Sequence, residues 1–164
     1  MSRFRTPSWI ALAVGAAALS LLVGALGFEY LGRLPPCEMC MWQRYPHIAA
    51  AVVGIGGFLL VRTAGLPESV AAAIVLFAAL LVAVSGAIGV YHAGVEWQWW
   101  QGPQSCTGPA FHASGPLDLN APVVRCDHAA WRLFGISLAG YNAVLSLAIA
   151  AAGAYLVIGT RRPS

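Results

Sequence analysis

The chain has no lysine. Its nine cationic side chains are all arginine, and charged residues make up only 9% of its 164 residues, against roughly 25% in an ordinary soluble domain. The net charge of +3 is scattered and forms no basic stripe, which argues against nucleic acid as a partner. No glycine-rich strand-to-helix turn is present, so a flavin or dinucleotide has no binding motif. Cysteine is scarce, with four residues. The single Cys-x-x-Cys, Cys37 to Cys40, is followed by Met41 rather than histidine, which excludes covalent haem attachment, and it lacks the matching second pair that a zinc knuckle requires.

What the chain has instead is long apolar runs, with 59% of residues hydrophobic. Four of them, at about residues 9–28, 43–61, 69–91 and 135–158, are long enough to cross a hydrocarbon core of roughly 30 Å. The first follows Arg3 and Arg5 but outruns the ~7–15 apolar residues of a signal peptide, so it reads as a retained anchor. The second is informative. Residues 47–61 alone give only ~22 Å of helix, so the span has to begin near Gln43. That start puts Pro46, which lacks a donor, in a first turn where it does no harm. It also puts Arg44 at the edge of the apolar layer, with Cys40 just outside.

Four spans leave both termini and the Arg62 turn on one side, with Arg3, Arg5, Arg62, Arg161 and Arg162 in short segments. The other side holds Arg33, Arg44, Arg125 and Arg132 in longer ones. This asymmetry places the termini in the cytoplasm. The segments at about residues 29–42 and 92–134 then face outward, with every cysteine on the oxidising side. The expected fold is an all-α membrane protein: a single domain over residues 1–164, an antiparallel four-helix bundle with two periplasmic loops. Gly54, Gly56, Gly57, Gly86, Gly89 and Gly140 are read as helix-packing positions. Tryptophans and tyrosines at the span ends, Trp97, Trp99 and Trp100 among them, read as an interfacial belt.

Cys37 and Cys40 are spaced as a redox-active pair. A structural bond between residues so close would add little, because the stabilisation grows with the loop closed. Cys106 and Cys126 enclose a longer loop and fit a structural disulfide equally well, or an electron source for the first pair. Thiol chemistry needs a final acceptor, and the membrane setting suggests a lipid-soluble quinone. Arg44, one helical turn from Cys40, has the donors to hold a quinone carbonyl, and snorkelling to lipid phosphates is its alternative use. His92 ends the third span at the same membrane face. His47, His112 and His128 read as interfacial or solvent residues, and Asn142 as a hydrogen-bonding partner between helices.

These residues resemble the disulfide-bond-formation protein B family, DsbB. The resemblance rests on the four spans, Cys37-Glu-Met-Cys40 followed by Arg44, the Cys106 and Cys126 loop, and Trp131-Arg-Leu-Phe-Gly-Ile-Ser137 before the last span. It implies a thiol:quinone oxidoreductase of the bacterial inner membrane that reoxidises a periplasmic DsbA-like oxidase. In that scheme Cys106 takes the mixed disulfide with the partner and Cys126 is its mate. Cys37 exchanges with that pair, Cys40 contacts the quinone ring, and Arg44 and His92 flank the quinone. The cofactor would be ubiquinone or menaquinone, and the protein would act as a monomer. The second loop is shorter than in well-known members, which leaves open a membrane-surface helix drawing on Phe111, Leu117, Leu119, Val123 and Val124. The alternative function is a non-enzymatic membrane scaffold or accessory subunit with two structural disulfides.

Overall fold

The apolar runs fold as four long helices. In the computed structural model, which describes residues 6–107 and 124–159, these are α1 (Pro7–Tyr30), α2 (Glu38–Ala64), α3 (Glu68–Glu96) and α5 (Leu138–Gly159). Each is long and apolar enough to cross a membrane. Between α3 and α5 lie the single-turn α4 (Gln104–Thr107) and a small hairpin of β1 (Arg132–Leu133) and β2 (Ile136–Ser137), paired antiparallel with Arg132 opposite Ser137. Arg3, Arg5, Arg161, Arg162, His112, and Phe111, Leu117, Leu119 and Val123 of the suggested surface helix fall outside the described residues.

Local chemistry sets the helix ends. One first-turn residue of α1 is tied across the bundle: Ser8 N–H and Oγ each donate to the Glu68 carboxylate at 3.0 Å. Gly65, at φ 63°, closes α2 in the left-handed region that glycine enters without strain, and three residues separate the end of α2 from the start of α3. The hairpin turns on Phe134 and Gly135, both at positive φ (49° and 81°), the signature of a two-residue loop matched to strand twist. Phe134 is left 90% exposed there.

The second helix starts earlier than its apolar length demands. Cys37 is its extended N-cap residue, and its sulfur accepts the Cys40 N–H at 3.2 Å. Cys40 therefore sits inside the first turn rather than just outside the helix. Pro46 in consequence lies within α2 and has no N–H for the Trp42 carbonyl. The next carbonyl, that of Gln43, accepts from Ser85 Oγ of α3 at 2.9 Å. A neighbouring hydroxyl thus serves the backbone where proline disturbs the ladder.

Consecutive long helices pack as neighbours, α1 closes the ring against α5, and α1 and α3 approach across one diagonal. Val14, Val75, Ala78, Val82 and Val157 fill the centre. The closest crossing is between glycines: a Cβ on Gly54 would lie 2.7 Å from Ala11 O and Gly15 Cα. Gly86 and Gly89 take α5 side chains and backbone in the same way, whereas Gly56 faces open space. Val52, Leu59, Phe77 and Leu80 point outward, an apolar exterior that suits lipid.

Candidate functional site

The helix start at Cys37 gathers the site. Pro35 and Pro36 keep the approaching chain extended, and Cys37 then turns into α2 with its sulfur facing back over the first turn. The Cys37 and Cys40 sulfurs lie 2.6 Å apart, unbonded. Cys37 is buried and Cys40 half-buried. The hydrogen bond to the Cys40 sulfur, and then burial, hold the Cys37 thiol well above the ordinary thiol range, so the proton of the pair stays on Cys37.

Cys106 and Cys126 are bonded to one another, with Cα atoms 5.4 Å apart, and Cys126 N–H donates to Cys106 O at 3.0 Å. Cys126 is fully buried, whereas Cys106, on α4, is half-buried. The two pairs are distant in sequence but share one buried cluster: Cys37, Met39, Val95 and Cys126 at its centre, with Cys40, Cys106 and Val124 packed on them.

On the other side of Cys40 is a cavity of about 250 Å³ between α1, α2 and α5, toward the end of the bundle where α2 begins. Leu21, Phe28, Leu34, Leu138 and Leu145 give it apolar walls, and its polar lining includes Cys40, Gln43, Arg44, His47 and Asn142. Arg44 is ion-paired with Glu29 at the end of α1, which commits one of its five N–H donors and steadies the guanidinium beside Cys40. His47 is not interfacial. It is buried, with Nε2 2.8 Å from Asn142 Oδ1, and its Nδ1 is a buried nitrogen with no partner. An apolar slot lined by a thiol, an arginine and a histidine suits a flat, carbonyl-bearing ring on an apolar tail.

His92 is placed differently. It is buried behind Cys37, with Nε2 3.6 Å from Cys37 Sγ, and it does not line the cavity. Its Nδ1 meets Gln43 Nε2 at 2.9 Å, and Glu96 Oε1 stands 3.7 Å from its Nε2. Cys37, Cys40 and His92 bring three potential metal-ligand atoms within 4.8 Å of one another. The Gln43 contact opposes metal binding, since it keeps the ring hydrogen on the nitrogen that would have to ligate.

The family model described as "Disulfide bond formation protein DsbB" matches residues 7–156. The chain belongs to the DsbB family. Relatives carrying the name "Disulfide bond formation protein B" include one from Polaromonas sp., 27% identical over 92% of this chain and 90% of its own length. One from Azoarcus sp. is 29% identical over 92% of each, and one from Psychromonas ingrahamii is 32% identical over 80% of this chain and 70% of its own. No solved structure matches significantly. As a DsbB-family member the chain is a multi-pass membrane protein and an oxidoreductase of disulfide-bond formation.

Several site residues were hidden from sequence reasoning: Glu29, Gln43, His47, Ser85 and Glu96. A signal for most of them exists. Polar residues in otherwise apolar helices recur on single faces, Gln43 with His47, Ser85 with His92 and Glu96, and Asn142 with Ser146. A polar group at such spacing in a membrane helix points at the bundle interior.

Proposed function

We propose that this DsbB-family protein passes electrons from the dithiol of a soluble, periplasmic DsbA-like oxidase through Cys106–Cys126 and Cys37–Cys40 to a membrane quinone, ubiquinone or menaquinone. One observation carries the reading: the two sulfurs of the Cys-x-x-Cys have different surroundings. Cys40 lines the apolar cavity beside Arg44, while Cys37 packs at the centre of the cluster that holds Cys106 and Cys126.

The steps follow from exposure and proton placement. A partner thiolate attacks Cys106, the more accessible sulfur of its pair, and Cys126 leaves. The partner's second thiol attacks the partner sulfur of that mixed disulfide, which releases the oxidised partner and leaves Cys106 and Cys126 as a dithiol. That dithiol then reduces the Cys37–Cys40 bond through Cys37. One disulfide forms as another breaks, and the proton comes to rest on Cys37, leaving Cys40 as the sulfur facing the cavity. A quinone bound there supplies a two-electron, two-proton acceptor. The N–H donors of Arg44 not used by Glu29 would hold a carbonyl oxygen, and the leucine-rich walls would exclude water. We place the protein in the bacterial inner membrane as a single domain acting as a monomer, with both termini cytoplasmic. The arginine distribution supports that topology.

The test is turnover. Purified protein in detergent, given a reduced DsbA-like partner, should reduce a soluble quinone analogue. Cys40→Ser should lose nearly all of this activity, and Arg44→Ala should raise the KM for quinone at least about tenfold, the loss of one or more charge-assisted hydrogen bonds. A fully active Cys40→Ser protein overturns the reading.

A further inference from the structure

The polar side chains inside the bundle form a hydrogen-bond chain with a fixed direction. Its first anchor is Asn142, whose Nδ2 donates to the backbone carbonyl of Ser85 at 3.2 Å. A carbonyl can only accept, so the amide nitrogen must face that way. The same nitrogen donates to Gln43 Oε1 at 2.7 Å, and the opposite oxygen, Oδ1, accepts from Ser146 Oγ at 2.9 Å. The second anchor is Gln43, whose Nε2 donates to the Met39 carbonyl at 3.2 Å. Both amides are therefore oriented by groups that have only one role to play, and Gln43 presents N–H to His92 Nδ1 at 2.9 Å. Nδ1 has to accept. A neutral His92 ring then carries its hydrogen on Nε2, 3.6 Å from Cys37 Sγ.

We infer that Asn142 and Gln43 are positioning residues that lock His92 in its Nε2–H tautomer, and that His92 is a catalytic hydrogen-bond donor to the Cys37 sulfur whenever Cys37 leaves a disulfide. This builds on the relay proposed above and adds a role inside it. When a thiolate attacks the sulfur bonded to Cys37, a new S–S bond forms and the old one breaks. The electron pair of the broken bond stays on Cys37 as negative charge. The neutral imidazole does not give up its proton. It stabilises the developing thiolate through a charge-assisted hydrogen bond, and the thiolate is later protonated by the proton that the attacking thiol released. Glu96 Oε1 lies 3.7 Å from the same nitrogen, and the ring also has a backbone hydrogen bond at Cys126, an acceptor available to it when Cys37 is bonded and uncharged. His92 thereby serves the sulfur-to-sulfur step, and the cavity is served by Arg44.

Two measurements test this. The chain has only four histidines, so ¹⁵N-histidine labelling of the full-length protein, with the His92 signals identified by their loss in His92→Gln, reads the tautomer directly. A protonated Nε2 with a bare Nδ1 is expected in the wild type, and a mixture of tautomers in Gln43→Leu, which removes the donor to Nδ1. A wild-type ring protonated on Nδ1 alone overturns the proposal without any variant having to be active. The second measurement is the rate at which dithiothreitol opens the Cys37–Cys40 disulfide, followed by quenched thiol trapping. The reagent reaches the half-buried Cys40 and expels the buried Cys37. His92→Leu should slow this step at least about tenfold. His92→Gln, whose amide N–H can occupy the Nε2 position, should stay within about threefold of wild type. Equal rates in wild type and His92→Leu overturn this proposal and leave the relay standing. A wild-type Cys37–Cys40 bond that never exchanges overturns both.

Discussion

Cys37 does two things with one atom. Its sulfur caps the start of α2 by accepting the Cys40 N–H, and it is also the sulfur that faces His92. Arg44 is likewise doubly placed, at the cavity wall and against Glu29. A membrane arginine with a carboxylate partner is held in one position, where a lone one would snorkel toward phosphates. Beside Cys126, Asp127 accepts from Arg125 Nε at 2.9 Å and from Nη2 at 2.5 Å, and these bonds hold its carboxyl below the usual aspartate range. A carboxyl lowered on folding contributes its stability fully above the unfolded value of about 3.9, and loses it as pH falls through the lower folded value. Thermal unfolding of Arg125→Gln should therefore show a small deficit against wild type near neutral pH that closes on acidification below that range. A deficit that persists unchanged in acid would assign the effect to packing.

At the scale of elements, the four helices were legible because the apolar runs are long and nearly free of charge. What stayed illegible was the phase of α2. Membrane thickness sets a minimum length for a helix but not its starting residue, and the start is decided by a cysteine serving as cap, a residue that propensity does not favour there. Asn142 could be read as an interhelical donor because its polarity is isolated mid-span. Its partners could not be read, since Gln43 and Ser85 lie 99 and 57 residues away. Membrane depth alone reads His92 toward the proposed quinone cavity. Depth says nothing about which face of α3 carries it, and that face looks at Cys37. Helix contacts yield a direct test. Gly54→Ala would place a methyl 2.7 Å from the Ala11 carbonyl and from Gly15 Cα, where backbone cannot step aside cheaply. It should destabilise the bundle by about 1–3 kcal/mol, measured by denaturant titration in mixed micelles, whereas Gly56→Ala, with nothing nearby, should be close to neutral.

Across the whole molecule, the bundle unites two cysteine pairs that the sequence keeps more than a helix hairpin apart. Their shared cluster predicts a trapped species: in the double variant Cys40→Ser with Cys126→Ser, the remaining Cys37 and Cys106 should bond to each other. Mass spectrometry of the non-reduced digest would detect the cross-linked peptides, and two free thiols after mild oxidation would contradict the predicted proximity. The arrangement of that pair also has a consequence for leakage. On the proposed route, with Cys40 at the cavity and Cys37 at the buried cluster, the start of α2 stands as a partition between the partner's thiols and a lipid-borne oxidant. Along that route, the two can settle their difference in potential only through sulfur, one pair at a time. The protein then insulates as much as it conducts, and the gap between its rate with a docked partner and its rate with free small thiols would measure how tight that insulation is.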